Sequence, residues 1–208
     1  MRSKRQDGFS LLELMITICI VVIIGAVTFI TFRPLLKKGH VDSAYQTTLM
    51  VLRDTRHLAI TQSHEYKVTF NPGGFPAGTI LVEYQPPAVG GVFPPLQQVN
   101  TYTLPTDVSF AVQAGFPAST PDGFGTGIAA IDFGQGLGGG ALNYVAFMPD
   151  GSARDTNNLG NYNSGVVYLT DPASPIYSSR AATVWGATGR IRGWRLDQQG
   201  AAAVWVQQ

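Results

Sequence analysis

The longest apolar stretch of the chain lies near its amino terminus. Residues 14–32 contain 19 consecutive positions without a charged side chain, enough for a helix to cross a ~30 Å hydrocarbon layer. A secretory signal peptide has a shorter apolar region that ends at a small-residue cleavage site, and Gly25-Ala26-Val27-Thr28 is a poor site of that kind. The pattern therefore predicts a single transmembrane helix over residues 9–33. Because a long downstream domain is translocated largely regardless of charge, we expect the chain to start in the cytoplasm.

The helical pattern continues beyond this stretch. Pro34 lacks a backbone donor and is expected to kink the helix. Residues 34–63 then have apolar and small side chains at helical spacing on one face: Val41, Ala44, Tyr45, Thr48, Leu52, Thr55 and Ala59. Ser43, Gln46, Arg53, Asp54 and His57 lie on the opposite face. A one-sided helix of this kind must pack on another element.

Residues 64–208 have the short, turn-separated apolar runs of β-strands. The candidate strands are 66–70, 80–84, 102–104, 108–112, 128–133, 144–147, 166–169 and 181–185, followed by a terminal hairpin of 189–196 and 201–206. Ten of the 13 prolines lie between Pro72 and Pro149, which indicates loops rather than long helices there. The predicted fold is α+β, with a long N-terminal helix, first transmembrane and then amphipathic, packed on an antiparallel β-rich head.

Composition excludes several classes of protein. The 208 residues carry a net charge of +1 and one cysteine, which rules out a global basic field and an intramolecular disulfide framework. The charge is uneven, because the segment from Val68 to Ala153 contains five acidic residues and no Lys, Arg or His, whereas four arginines lie between Arg180 and Arg195. The chain thus has a basic start, an acidic middle and a basic tail.

No catalytic or cofactor-binding set emerges from the sequence. All three histidines lie on or just after the helical region, and His57 and His64 share a face with Arg53, which disfavours a metal. The glycines of 134–139 fit a dinucleotide motif but lead into a strand instead of a helix. Residues 155–160 begin like a calcium loop, yet Leu159 replaces a ligand. We expect no enzyme, no cofactor and no metal, with an irregular calcium loop as the remaining alternative.

Glu13 is the one charged residue between Phe9 and Phe32. An ionised carboxylate in lipid is costly and is retained with a partner charge. The string from Gly8 to Leu14, GFSLLEL, follows a short basic leader and precedes the apolar run, and it resembles a type IV prepilin signal. The resemblance implies that a prepilin peptidase removes residues 1–8 by cleaving after Gly8 and methylates the amine of Phe9. Glu13 would then neutralise the Phe9 amine of a neighbouring subunit during assembly.

The head also resembles a known family. Residues 57–60 running into 68–70, together with 147–152, 165–169, 180–184 and 188–192, resemble the GspH/FimT-type pilin-like proteins. The resemblance implies a minor pilin or pseudopilin of a type II secretion or type IV pilus filament, held in the inner membrane by a single span with its head, residues 64–208, in the periplasm. Its implied partners are other pilin or pseudopilin subunits, the prepilin peptidase and an inner-membrane assembly platform.

The C-terminal arginines supply an alternative function. In a strand, Arg190, Arg192 and Trp194 project to one face, and Arg195 lies on the other with Ile191 and Gly193. Two guanidinium groups beside an indole suit a phosphate backbone and a stacked base, and the Gly-Arg-x-Arg tail is similar to that of FimT-like pilins thought to bind DNA during uptake. The other interpretations are a charged edge that discourages strand-on-strand aggregation, or contacts with neighbouring subunits.

Overall fold

The computed structural model describes residues 11–124, 129–135, 141–200 and 202–208, and for residues 27, 29–38, 158 and 159 it describes the backbone alone. The chain divides into two compact units, residues 1–36 and residues 37–208. One α-helix, α1, spans Leu11–Gln62, and its backbone is helical without interruption through Pro34.

The first unit contains the amino-terminal part of α1, whose large apolar side chains from Leu11 to Ile24 are all exposed. Within the described ranges, no helix combines the length and the apolar character that a membrane crossing requires. The predicted segment 9–33 starts at residues that lie outside this description, and its boundaries stay a prediction.

The second unit is built on the carboxyl-terminal part of α1. All seven residues of the predicted stripe are buried, at 0–2% exposure, whereas the five on the opposite face are exposed or half-buried. The structure adds Leu49 and Val51 to the buried face. The amphipathic pattern therefore identified the packing face of this part of the helix correctly.

Eleven strands follow the helix in the described residues. They are β1 (Tyr66–Phe70), β2 (Thr79–Tyr84), β3 (Gln97–Thr103), β4 (Ile131–Gln135), β5 (Tyr144–Phe147), β6 (Ala153–Asp155), β7 (Asn158–Tyr162), β8 (Ser164–Leu169), β9 (Arg180–Trp185), β10 (Arg190–Gln199) and β11 (Ala202–Gln207). They form a six-stranded sheet of order β3-β2-β1-β5-β6-β7 and a five-stranded sheet of order β11-β10-β9-β8-β4. Every strand pair is antiparallel, so the predicted α+β class with a helix packed on antiparallel sheets is confirmed.

The five-stranded sheet has a core on each of its faces because successive side chains of a strand point to opposite sides. On β8, Val167 and Leu169 join Leu52 of α1 and Phe70 of the six-stranded sheet in the main core. Val166 and Tyr168 point the other way, into a second cluster with Leu196 and Trp205. Sheet and helix thus form one packed unit, and loops cover the far face.

Some strand predictions were wrong in detail. Residues 108–112 form no strand, because the segment makes a single bridge, Ser109 to Thr170. The short strands β6 and β7 were missed, since they are mostly polar and lack a clear alternation. The terminal hairpin is present, but its turn lies two residues later than predicted, between Gln199 and Ala202.

Candidate assembly motif and C-terminal arginine strand

The predicted processing site and assembly residue lie at the amino terminus. Gly8 and Phe9 lie outside the described residues. Glu13 occupies the first turn of α1, where the helix dipole favours an acidic side chain. It is exposed, as are its apolar neighbours Leu12 and Leu14. An acid at this position lies on an apolar helix surface that another chain can reach.

The C-terminal arginines lie on β10, which pairs with β9 on one side and β11 on the other. β11 pairs with β10 from Trp194 to Gln199, so the edge-strand interpretation is wrong for Arg195, which has a strand on each side. Arg190 and Arg192 lie before this pairing begins and pair with β9 alone. Gly193 lies at the middle of β10 and faces α1, where a Cβ atom would overlap the hydroxyl and ring of Tyr45. The close approach of strand and helix thus requires a glycine at this position.

Arg192 and Trp194 are held in an intramolecular network on the face away from α1. The Arg192 guanidinium forms an ion pair with Asp122, whose side chain is only 4% exposed. The Asp122 carboxylate also accepts a hydrogen bond from the Thr183 hydroxyl, and the Trp194 indole donates to the same Thr183 oxygen over 2.9 Å. The charge of Arg192 is thus compensated within the head by an acid 70 positions away.

Arg195 also has an acidic partner. Its guanidinium lies 3.2 Å from the Asp197 carboxylate, and both side chains are about half exposed. The backbone N–H of Gln198, followed by Arg195, holds the pKa of Asp197 below its ordinary value. Two of the three arginines predicted to contact DNA are therefore already paired with carboxylates.

Arg190 lies instead in a concave site that the sequence did not predict. This basic groove is lined by Arg53 and Arg56 from α1, by Arg190 and Trp185 from the β9–β10 hairpin, and by Thr188, Gly189 and Ile191. Its volume is about 570 Å³, and none of its lining residues is acidic. Trp185 is 41% exposed, so the groove offers three cations beside an accessible aromatic ring.

Arg56 is the fixed element of the basic groove. Its Nε donates to the Gly151 carbonyl and its Nη2 to the Thr188 carbonyl, each over 3.0 Å. Gly189 has a positive φ of 59°, and a Cβ atom there would overlap the Gly151 carbonyl and crowd Arg56. The hairpin and the helix are thereby locked together, and no signal in the sequence links Arg56 to residues about 95 and 132 positions away.

One of the two other candidate sites has a local structural explanation. The supposed calcium loop is the β6–β7 hairpin, in which Asp155 accepts hydrogen bonds from the Tyr144 hydroxyl and the Asn157 amide. Gly136 and Gly139 of the dinucleotide-like motif lie outside the described residues. In the part of the chain that the structure describes, no group of three metal-ligating side chains comes together.

A comparison with protein families matches residues 3–29 to the prokaryotic N-terminal methylation motif. No curated protein matches the chain. Among solved structures, the chain is similar to the type IV minor pilin FimU of Pseudomonas aeruginosa, with 10% sequence identity, 82% of this chain and 97% of that chain covered, and a TM-score of 0.45. The chain therefore carries the prokaryotic N-terminal methylation motif near its amino terminus.

Proposed function

We propose that the chain is a minor pilin or pseudopilin subunit that assembles into, or at the tip of, a type II secretion or type IV pilus filament. Residues 1–8 form the leader, 9–33 the membrane-spanning segment of the inner membrane, 34–63 the amphipathic continuation, and 64–208 the periplasmic head. The observation that carries the proposal is the methylation motif at residues 3–29, followed by a helix with a buried stripe on an antiparallel head.

Glu13 is the proposed assembly residue. Cleavage after Gly8 creates a new amino group on Phe9, and methylation preserves its positive charge. In a filament, the Glu13 carboxylate pairs with the Phe9 amine of an adjacent subunit. A charge pair removed from water is costly to break once formed, so the pair selects the register in which the subunits stack.

Mass spectrometry of the full-length protein, with and without a co-expressed prepilin peptidase, tests the processing step. We expect loss of the first eight residues and the gain of one methyl group when the peptidase is present. An intact amino terminus, or cleavage near Thr28, would exclude the proposal.

The assembly step is tested with Glu13→Gln, which removes the charge and keeps the shape. We expect normal processing and a marked loss of the subunit from the sheared filament fraction. Thr17→Val is the matched control, since Thr17 is an exposed residue one turn away and carries no charge. Equal incorporation of Glu13→Gln and the control would show that the charge of Glu13 is not needed. Identification of the co-purifying subunits distinguishes a secretion filament from a pilus.

A second candidate function is the binding of DNA, and one observation favours it at a revised site. The basic groove presents Arg53, Arg56 and Arg190 beside the exposed ring of Trp185, whereas Arg192 and Arg195 are paired with carboxylates. Phosphate groups suit the guanidinium cluster, and a base suits the indole face. We therefore propose the groove as the DNA contact, in which Arg190 of the predicted residues is joined by Arg53 and Arg56 instead of Arg192 and Arg195.

Fluorescence anisotropy with a labelled single-stranded oligonucleotide and the detergent-solubilised full chain tests this second function. Three phosphate contacts predict that log K falls with log salt at a slope of about −2. Arg53→Gln with Arg190→Gln is expected to reduce the affinity and flatten the slope, whereas the control Arg195→Gln leaves both unchanged. Equal affinities for all three proteins would reject the groove as a DNA site.

A further inference from the structure

Residues 85–95, in the connection between β2 and β3, form an exposed apolar hairpin. Nothing else in the described part of the head covers this hairpin. Val89, Val92 and Phe93 are 75%, 71% and 68% exposed, although valine and phenylalanine are ordinarily core residues. We call this segment the apolar finger. Single apolar residues scattered over a surface are ordinary, but three large apolar side chains exposed next to each other indicate an interaction surface.

The apolar finger is held in one conformation by hydrogen bonds. The backbones of Val89 and Val92 exchange two hydrogen bonds of 2.9 and 3.2 Å across a turn in which Gly90 and Gly91 both have positive φ. At the base, the side-chain amide of Gln85 donates to the Pro86 and Pro94 carbonyls over 3.3 and 2.9 Å. A preordered loop loses little conformational entropy on binding, so the finger is suited to insertion into a partner.

Charge indicates what kind of surface the finger meets. No charged residue occurs between Glu83 and Asp107, and no Lys, Arg or His between Val68 and Ala153. A segment that inserts into anionic lipid headgroups ordinarily has basic residues beside its apolar ones. The finger lacks them, which favours an uncharged apolar pocket of a protein over a membrane surface.

The same head carries a pocket of matching chemistry. A cavity of about 280 Å³ on the far side of the five-stranded sheet is lined by Val112, Gln113, Gly115, Phe116, Pro117, Ala118 and Tyr168. None of these side chains is charged, and burial chiefly raises the pKa of Tyr168 to about 12, so its phenol stays neutral at physiological pH. A cavity of this volume has room for one aromatic side chain.

Hydrogen bonds and ring contacts hold the wall of this pocket in one conformation, as hydrogen bonds do for the finger. The side-chain amide of Gln113 donates to the Asp171 carbonyl over 2.9 Å, and the Phe116 N–H donates to the Gln113 carbonyl over 3.2 Å. The ring of Phe116 packs on Tyr168 and Trp205 at centroid distances of 5.5 and 5.3 Å. A groove beside β3 has Asp54 and His57 in its lining and matches an uncharged finger less well.

We propose that the apolar finger of one copy of this chain inserts into the Val112–Tyr168 pocket of a second copy. The two surfaces are different patches of the head, so the contact is heterologous and can repeat in one direction. The inference goes beyond the proposed function, because it requires only that two copies meet on the same side of a membrane.

Cysteine cross-linking in cells tests the contact with the full-length chain. Two differently tagged copies, both carrying Cys19→Ser, are co-expressed, one with Val92→Cys in the finger and the other with Val112→Cys at the pocket. Val99→Cys on β3 is the matched control for the finger, since Val99 is also an exposed valine, at 49%. We expect an oxidant to cross-link the two tags for the Val92 and Val112 pair, and about tenfold less for the Val99 and Val112 pair.

A second variant separates docking from chance encounter. Phe93→Ser, added to the Val92→Cys copy, is expected to reduce the cross-linked product about tenfold, and because Phe93 is exposed the head stays folded. Equal yields for finger and control, no effect of Phe93→Ser, or cross-linking of the finger to a different protein would each overturn the proposal. Leader removal, measured on the same samples, keeps the two proposals apart. If the leader is removed and no cross-link forms, the docking proposal is rejected and the filament role stands. If the cross-link forms and the leader is retained, the filament role is rejected and the docking proposal stands.

Discussion

Substitution of Gly193 by alanine tests the contact that joins the sheet to the helix. The added Cβ atom would overlap the hydroxyl oxygen of Tyr45, lie 2.7 Å from its Cζ and lie 3.1 Å from the Leu49 Cδ1. Tyr45 is 2% and Leu49 4% exposed, so neither side chain can move into solvent to make room. Overpacking of a core by one methyl group costs about 1–3 kcal/mol, and we expect Gly193→Ala to destabilise the head by about that amount.

Thermal unfolding of the detergent-solubilised full chain, followed by circular dichroism, measures the effect. For a unit of the size of residues 37–208, each kcal/mol corresponds to roughly 2–4 °C, so the melting temperature is expected to fall by about 2–12 °C. Gly73→Ala is the matched control, because a Cβ atom added at Gly73 would meet no other atom within 4 Å and the residue has no positive φ. It is expected to change the stability by less than about 0.5 kcal/mol.

A double-mutant cycle identifies the cause of the loss. Tyr45→Leu alone creates space and is expected to destabilise the head, but combined with Gly193→Ala it relieves the overlap. The double variant is then expected to lose about 1–2 kcal/mol less unfolding free energy than the two single variants lose together. An unchanged melting temperature for Gly193→Ala, or strictly additive effects, would refute the reasoning that the strand and helix meet through this glycine.

Three further changes test the packing and electrostatics of the head. Asp122→Ala removes the nearly buried partner of Arg192 and is expected to cost about 1–3 kcal/mol in urea unfolding, whereas the control Asp197→Ala, at an exposed ion pair, leaves the midpoint unchanged. Leu52→Ala, at a fully buried position, is expected to cost about 2–5 kcal/mol in the same assay. Burial raises the pKa of Glu65, so the folded state holds its proton more tightly than the unfolded state. Ionisation of Glu65 therefore lowers the stability of the head as the pH rises through the raised pKa. Glu65→Gln should raise the melting temperature at pH 7 by an amount that shrinks as the pH falls and vanishes below the ordinary pKa of a glutamate.

The elements predicted best were those specified by local patterns. The buried stripe of α1 was predicted correctly because helical spacing puts residues such as Val41, Thr48 and Ala59 on one face whatever they pack against. The strand β1 was predicted with its exact bounds, since an apolar run there ends at a proline–glycine turn. The segment 108–112 looked equally strand-like, but its partners were not placed to continue a ladder.

The arginine strand shows why the candidate site was harder to predict. Local spacing places Arg190, Arg192 and Trp194 on β10, and says nothing about what lies opposite them. Asp122, which neutralises Arg192, comes from a loop 70 positions earlier, and Arg53 and Arg56, which join Arg190, come from α1. Ion pairs and grooves of this kind depend on which distant segments the fold brings together.

The amino-acid sequence alone therefore established the processing motif, the amphipathic helix and the β-rich nature of the head, because each is written in the spacing of nearby residues. The tertiary structure alone showed which arginines are neutralised and why Gly189 and Gly193 cannot carry a side chain. It also showed where an exposed apolar finger and an uncharged pocket lie. The neutralised arginine and the two crowded glycines depend on contacts across about 40 to 150 positions of the chain, because burial and charge depend on the neighbours that folding supplies.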